Sequence, residues 1–95
     1  MDSSSFYNLV ESVKNTGIAR NQVELIDTTI QAVGYISASQ VAQLIKLIPF
    51  EKNRLEVAMA AYPYAIDRGS FPTVVASALT FRRTKVELME FIRNQ

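Results

Sequence analysis

Three stretches of the chain carry the same apolar pattern. Phe6, Leu9, Val10 and Val13 stand at i, i+3, i+4 and i+7; so do Val41, Leu44, Ile45 and Ile48, and again Phe71, Val74, Val75 and Ala78. That spacing lays one apolar stripe along an α-helix. A second set of stripes alternates with the first. Val23, Ile26, Ile30 and Val33 form one, Leu55, Ala58, Met59 and Tyr62 the next, and Val86 and Met89, flanked by Leu88 and Ile92, the last. No stretch alternates with period two for long enough to argue for a strand. The pattern predicts six short helices in pairs. None would be stable alone in water, so stability must come from packing the stripes together.

Between the two sets the chain writes nearly the same eight letters three times: IARNQVEL from Ile18, FEKNRLEV from Phe50 and FRRTKVEL from Phe81, at steps of 32 and 31 residues. A period near thirty suggests stacked helical hairpins. Within each octet, Asn21 with Glu24, Asn53 with Glu56 and Thr84 with Glu87 have the spacing of a capping box. This predicts that the second helix of each pair opens there, the fourth near Arg54 and the sixth near Lys85. Ile18, Phe50 and Phe81 lie five residues before Val23, Leu55 and Val86. That is hydrophobic-staple spacing if the true cap lies two residues earlier. Ser3, Ser4 and Ser5 can cap the first helix, and Thr16 with Gly17 makes the first turn. Gly34 suits a left-handed stop. Ser37 with Gln40 is another capping box, and Pro49 ends the third helix. The fourth helix ends or kinks at Tyr62 and Pro63, followed by a loop or one extra turn to Gly69. Ser70 caps the fifth, with Pro72 tolerated in its first turn. Tyr35 is expected to seal the junction between the first two hairpins.

The expected fold is therefore all-α: one domain over residues 1–95, six short helices as three consecutive hairpins, either a compact bundle or a short α-solenoid-like array. The related units fall at about 3–34, 35–69 and 70–95. A death-fold-like six-helix bundle is the rival of equal length; the threefold pattern favours successive hairpins.

Composition narrows the chemistry. The chain has no cysteine and no histidine. That removes disulfides, thiolate metal sites, the commonest general base and the usual near-neutral pH switch. Ten cations against nine anions give a net charge of +1, which argues against phosphate-driven nucleic-acid binding. No apolar run approaches the ~20 residues that span a bilayer. The opening MDSSSF lacks the basic flank and apolar stretch of a secretory signal. These features lead to the expectation of a cytoplasmic protein without membrane insertion.

The run YISASQVAQLIKLIPFEKNRLEVAMAAYPYAIDRGSFPTVVASALTF resembles the family known as domain of unknown function 4476. The residues that carry the resemblance are Gln40-Val41, Phe50-Glu51, Arg54-Leu55-Glu56, Tyr62, Asp67 and Thr80-Phe81. It covers nearly the whole chain, best over residues 35–90. At Arg82, Arg83 and Thr84 the chain departs from the family, which more often shows small polar residues there. The resemblance implies the helical fold and, as the family's description concedes, no assigned activity.

Serines and carboxylates at these positions are accounted for by capping and turns, Asp67 by a bond to its own backbone. A calcium loop would need more oxygen ligands, and no Gly-rich phosphate loop exists. No catalytic residue, cofactor or metal ligand is expected, and the chain is not expected to be an enzyme. The cations are more informative. Arg20, Lys52, Arg54, Arg82, Arg83 and Lys85 all fall at the start of a second-type helix, where the macrodipole disfavours positive charge by roughly 0.3–1 kcal/mol each. Stacked hairpins would line these starts along one edge. Tyr62 and Tyr64, flanking Pro63, are candidate contacts for a partner, since tyrosine is favoured in binding hot spots. The expected function is a non-catalytic protein–protein interaction or adaptor module with an unidentified protein partner. The alternative is a module that binds an anion, phosphopeptide or lipid headgroup along the basic edge.

Overall fold

A computed structural model describes residues Met1–Gln95. It is all-α, with helices α1 (Ser3–Lys14), α2 (Ala19–Val33), α3 (Ala38–Ile45), α4 (Glu51–Ala61), α5 (Phe71–Ala76) and α6 (Arg82–Arg93). A single 3₁₀ turn, Tyr62–Tyr64, continues α4. There is no strand, only one isolated parallel bridge between Ile36 and Ala65.

Consecutive helices pack in pairs, α1 on α2, α3 on α4 and α5 on α6. α4 also packs against both α2 and α6, and α3 against α5. This pairing is consistent with hairpins laid side by side, α4 at the centre. The ends of the row are tied at both sides. At one end, the Arg20 guanidinium near the start of α2 reaches Glu56 of α4 (2.6 Å), and Glu51 at the start of α4 accepts from the amide of Phe81 ahead of α6 (3.0 Å). At the other end, the bridge joins the segments that leave α2 and α4: the Ile36 amide donates to the Tyr64 carbonyl and the Ile66 amide to the Ile36 carbonyl, both at 3.0 Å. α2, α4 and α6 therefore start at one end of the molecule, and α1, α3 and α5 start at the other.

The apolar stripes meet in one core. Val13, Ile26, Ile30, Val41, Leu44, Ile45, Ile48, Phe71 and Leu88 are almost wholly buried. Gly34 stops α2 with φ of 91°, a conformation that L side chains rarely adopt. Ser37 and Gln40 form the expected capping box at α3.

Several expected boundaries shift. α2, α4 and α6 begin two residues before Asn21, Asn53 and Thr84, so these are interior first-turn residues and not caps. The N-caps are Ile18, Phe50 and Phe81, none of which makes a side-chain capping bond. The fourth residue of two of these helices ties the new start to what precedes it. Buried Gln22 donates to the Val13 carbonyl (3.2 Å), and the Arg54 guanidinium to the Ile48 carbonyl (2.6 Å). The first fastens α2 onto α1, and the second fastens α4 onto the turn that follows α3. Asp2, not the serines, caps α1, accepting from the Ser5 amide at 2.7 Å. Ser70 makes no side-chain capping bond to α5. α3 ends at Ile45, four residues before Pro49, in a short turn whose Leu47 and Ile48 amides bond three residues back. At the α2–α3 junction Ile36 is buried and Tyr35 is 43% exposed, because Ile36 carries the bridge. On α6, Leu88 turns inward and Val86 outward, which rotates the expected stripe.

Candidate functional site

Three helix starts sit along one edge, and their local chemistry is alike. Ile18, Phe50 and Phe81 have extended backbones (φ −110°, −111° and −99°; ψ 126°, 133° and 142°). Their carbonyls each accept the first helical bond at 3.0–3.1 Å. Their side chains stand 63%, 61% and 59% exposed. An apolar N-cap is among the poorest choices, since it leaves first-turn amides without a side-chain acceptor. Here that choice recurs three times, and each time a large apolar group is left in water.

The cations crowd the same edge. Residues 18–22, 50–54 and 81–85 hold six of the ten basic residues and one of the nine acidic ones, Glu51. Glu56 and Glu87 sit on two of these arginines, so the edge as a whole carries +3, and the remaining four cations and six carboxylates carry −2. The near-zero total conceals an uneven distribution of charge.

The six basic residues expected to form an edge do share it, but they are not equally free. Arg20 is paired with Glu56 and Arg83 with Glu87 (3.5 Å). Arg54 folds inward onto the Ile48 carbonyl. Lys52, Arg82 and Lys85 make no ion pair or side-chain hydrogen bond; Lys52 and Arg82 are exposed and Lys85 is half-buried. Glu56 and Glu87, expected to cap, bind these arginines instead of backbone amides.

Glu51 does the capping that was expected of others, and does so across helices. From the first turn of α4 its carboxylate accepts from the amides of Thr80 (2.8 Å) and Phe81 (3.0 Å) and from the Thr84 hydroxyl. Partial burial pushes its pKa upward. The Phe81, Thr84 and Thr80 donors and the nearby Arg54 charge outweigh that and hold it below the ordinary glutamate value. At the opposite end Asp67 plays a comparable part: it accepts from the Ala38 amide of α3 at 2.8 Å and not from its own turn.

Asp27 behaves in the opposite way. Half-buried between α2 and α4, it has one carboxylate oxygen with no donor. Burial and then the nearby Glu56 carboxylate push its pKa up to about 6, with Arg20 pulling only partly back.

Tyr62 and Tyr64 are half-buried against the core. The Tyr62 ring meets Phe71 edge-on at 5.2 Å and Phe91 at 6.5 Å, and Arg68 lies 5.5 Å from its centre. The polar edge and the exposed Ile18, Phe50 and Phe81 thus form the more accessible surface. Sequence reasoning noticed those three residues, with a staple as one reading, but placed the caps at Asn21, Asn53 and Thr84. The signal was their departure from every preferred capping residue.

The one hollow of the structure lies elsewhere, between α1 and α2. It holds about 280 Å³ and is walled by Ser5, Asn8, Ser12 and Thr29 over Leu9 and Leu25. No cluster of three or more aspartate or glutamate side chains could hold a metal ion, and no helix is long and apolar enough to cross a membrane.

None of the curated proteins and none of the solved structures matches the chain. One family model does, over residues 1–92, and the residues of the earlier resemblance include the carboxylates that tie helix starts together, Glu51 and Asp67. The chain belongs to the family described as Domain of unknown function (DUF4476).

Proposed function

We propose that this domain is a non-catalytic protein–protein interaction module whose contact surface is the edge formed by the starts of α2, α4 and α6. One observation carries the proposal: Ile18, Phe50 and Phe81 are exposed at positions where a small polar cap would serve the isolated fold better. Local choices that oppose stability, repeated in one place, are expected at functional surfaces. The cations at the same helix starts oppose the macrodipole and add to that conflict. The absence of histidine and cysteine supports a role without catalysis. The three related units, read as one hairpin written three times, supply the row.

The test is cross-linking in cells of the natural source, wild type against a variant carrying Ile18→Ser, Phe50→Ser and Phe81→Ser. Serine is a good cap, so the variant should remain folded. The expected result is a set of cross-linked proteins that the variant loses. Equal sets from both would end the proposal.

Anion binding is a second reading, favoured by the unpaired Lys52 and Arg82. It predicts that the serine variant keeps its ligand and that Lys52→Glu with Arg82→Glu loses it.

A further inference from the structure

We infer that the partner of this edge is an acidic amphipathic helix lying across the starts of α2, α4 and α6. The inference rests on the proposed interaction role and specifies the partner's chemistry.

Charge is the first ground. With Glu56 and Glu87 counted beside the arginines they pair with, the edge carries +3 while the rest of the chain carries −2. Lys52, Arg82 and Lys85 have no carboxylate partner within the molecule. A partner with basic residues would be repelled here, and a neutral one would leave these cations without a counter-charge.

Spacing is the second. Packed helices lie roughly 8–10 Å apart, axis to axis. Ile18, Phe50 and Phe81 cap three neighbouring helices with α4 in the middle. Level caps on helices packed at that distance would stand in a row with steps of about that size. An α-helix places side chains at i and i+7 on one face about 10.5 Å apart. An extended strand repeats on one face every ~6.6 Å and falls out of step after one residue. Apolar residues at i, i+7 and i+14 would each meet one of the three exposed side chains. The acidic residues beside that stripe would reach Lys52 and Arg82.

Shape is the third. The only hollow in the structure is on the α1–α2 face, away from this edge. No hollow of that kind lies along the edge, which suits a partner that brings a preformed ridge.

The probe is a displayed library of 21-residue peptides with helical apolar spacing. Flanking positions vary among Asp, Glu, Lys, Arg, Gln and Ser. Selection on the wild-type domain should enrich acidic sequences. The best of these should bind about tenfold or more weakly to Phe50→Ser/Phe81→Ser and to Lys52→Glu/Arg82→Glu. The melting temperature of the serine variant should not fall, which separates lost contact from lost fold. Enrichment of basic or uncharged peptides, no enrichment, or equal affinity for both variants overturns the inference. So does binding to phosphatidylserine vesicles that both variants lose while no acidic peptide is selected, since that assigns the edge to lipid. If cross-linking in cells still depends on Ile18, Phe50 and Phe81 in those cases, the interaction role stands and only the acidic helix is wrong. If it does not, the interaction role falls as well.

Discussion

The two ends of this molecule solve one physical problem in opposite ways. Where α1 and α3 start, polar groups converge on the backbone. Asp2 holds the Ser5 amide, Ser37 and Gln40 bond each other's amides, and Asp67 takes the Ala38 amide. Gln40 also donates to the Met1 carbonyl at 2.6 Å, and the Ile36–Ala65 bridge closes the group. Where α2, α4 and α6 start, the caps are isoleucine and phenylalanine, and one carboxylate, Glu51 of α4, holds the approach to α6. The first end is arranged for the domain's own stability. The second forgoes part of that stability and keeps apolar and cationic groups in water. A partner that supplied apolar cover and negative charge would restore what that end lacks.

The contrast can be broken from the capped end first. Ser37→Ala combined with Asp67→Ala should cost about 2–3 kcal/mol, because two amides at the start of α3 lose their acceptors. Urea unfolding would measure it, and a loss below about 0.5 kcal/mol would deny that end its stabilising role. Glu51→Ala should cost about 2 kcal/mol near neutral pH, since a charged acceptor of three donors disappears. Because Glu51 titrates below the ordinary glutamate value in the fold, its contribution is present above that value. It is lost as pH falls through the folded pKa. The gap between wild type and variant should close in acid.

Smaller effects sharpen the picture. Asp27 binds its proton more tightly folded than unfolded, so stability declines as pH rises from 3.8 to about 6, and the penalty is complete above that. Asp27→Asn should therefore stabilise the domain by roughly 1 kcal/mol at pH 7.5, allowing for solvent screening of a half-exposed group, and by little at pH 3.5. Paired thermal melts at the two pH values would show it; an equal gain at both would point to packing instead of charge. Smallest is Phe50→Ser, with an expected gain of about 0.5 kcal/mol from a better cap. A clear loss of stability there would mean that the Phe50 side chain already serves the fold.

Much of the architecture was legible in the residues because it is written as period. The stripes at Val41, Leu44, Ile45 and Ile48 and at Val23, Ile26 and Ile30 are buried where the 3.6-residue repeat places them. Gly34 and the Ser37–Gln40 box act locally, and local chemistry can be read from local sequence. What escaped depends on residues far apart. Asn21, Asn53 and Thr84 have the look of caps, yet the helices are already under way there, with Gln22 bonded to α1 and Arg54 to the turn after α3. Glu51 and Asp67 reach amides 30 and 29 residues away, and nothing in their immediate neighbours announces those targets. The candidate edge was half legible. Its cations stood out by position, but the caps were placed at Asn21, Asn53 and Thr84, so Ile18, Phe50 and Phe81 were not read as exposed caps.

The ties described above also govern how the chain finds its shape. The longest side-chain hydrogen bond closes 39 residues, Gln40 to Met1, and those joining α4 to its neighbours close 36 or fewer. No such bond asks the first helix to find the last. Assembly can thus spread from one helix pair to the next without closing the whole chain, which keeps the loop-closure cost of each step down.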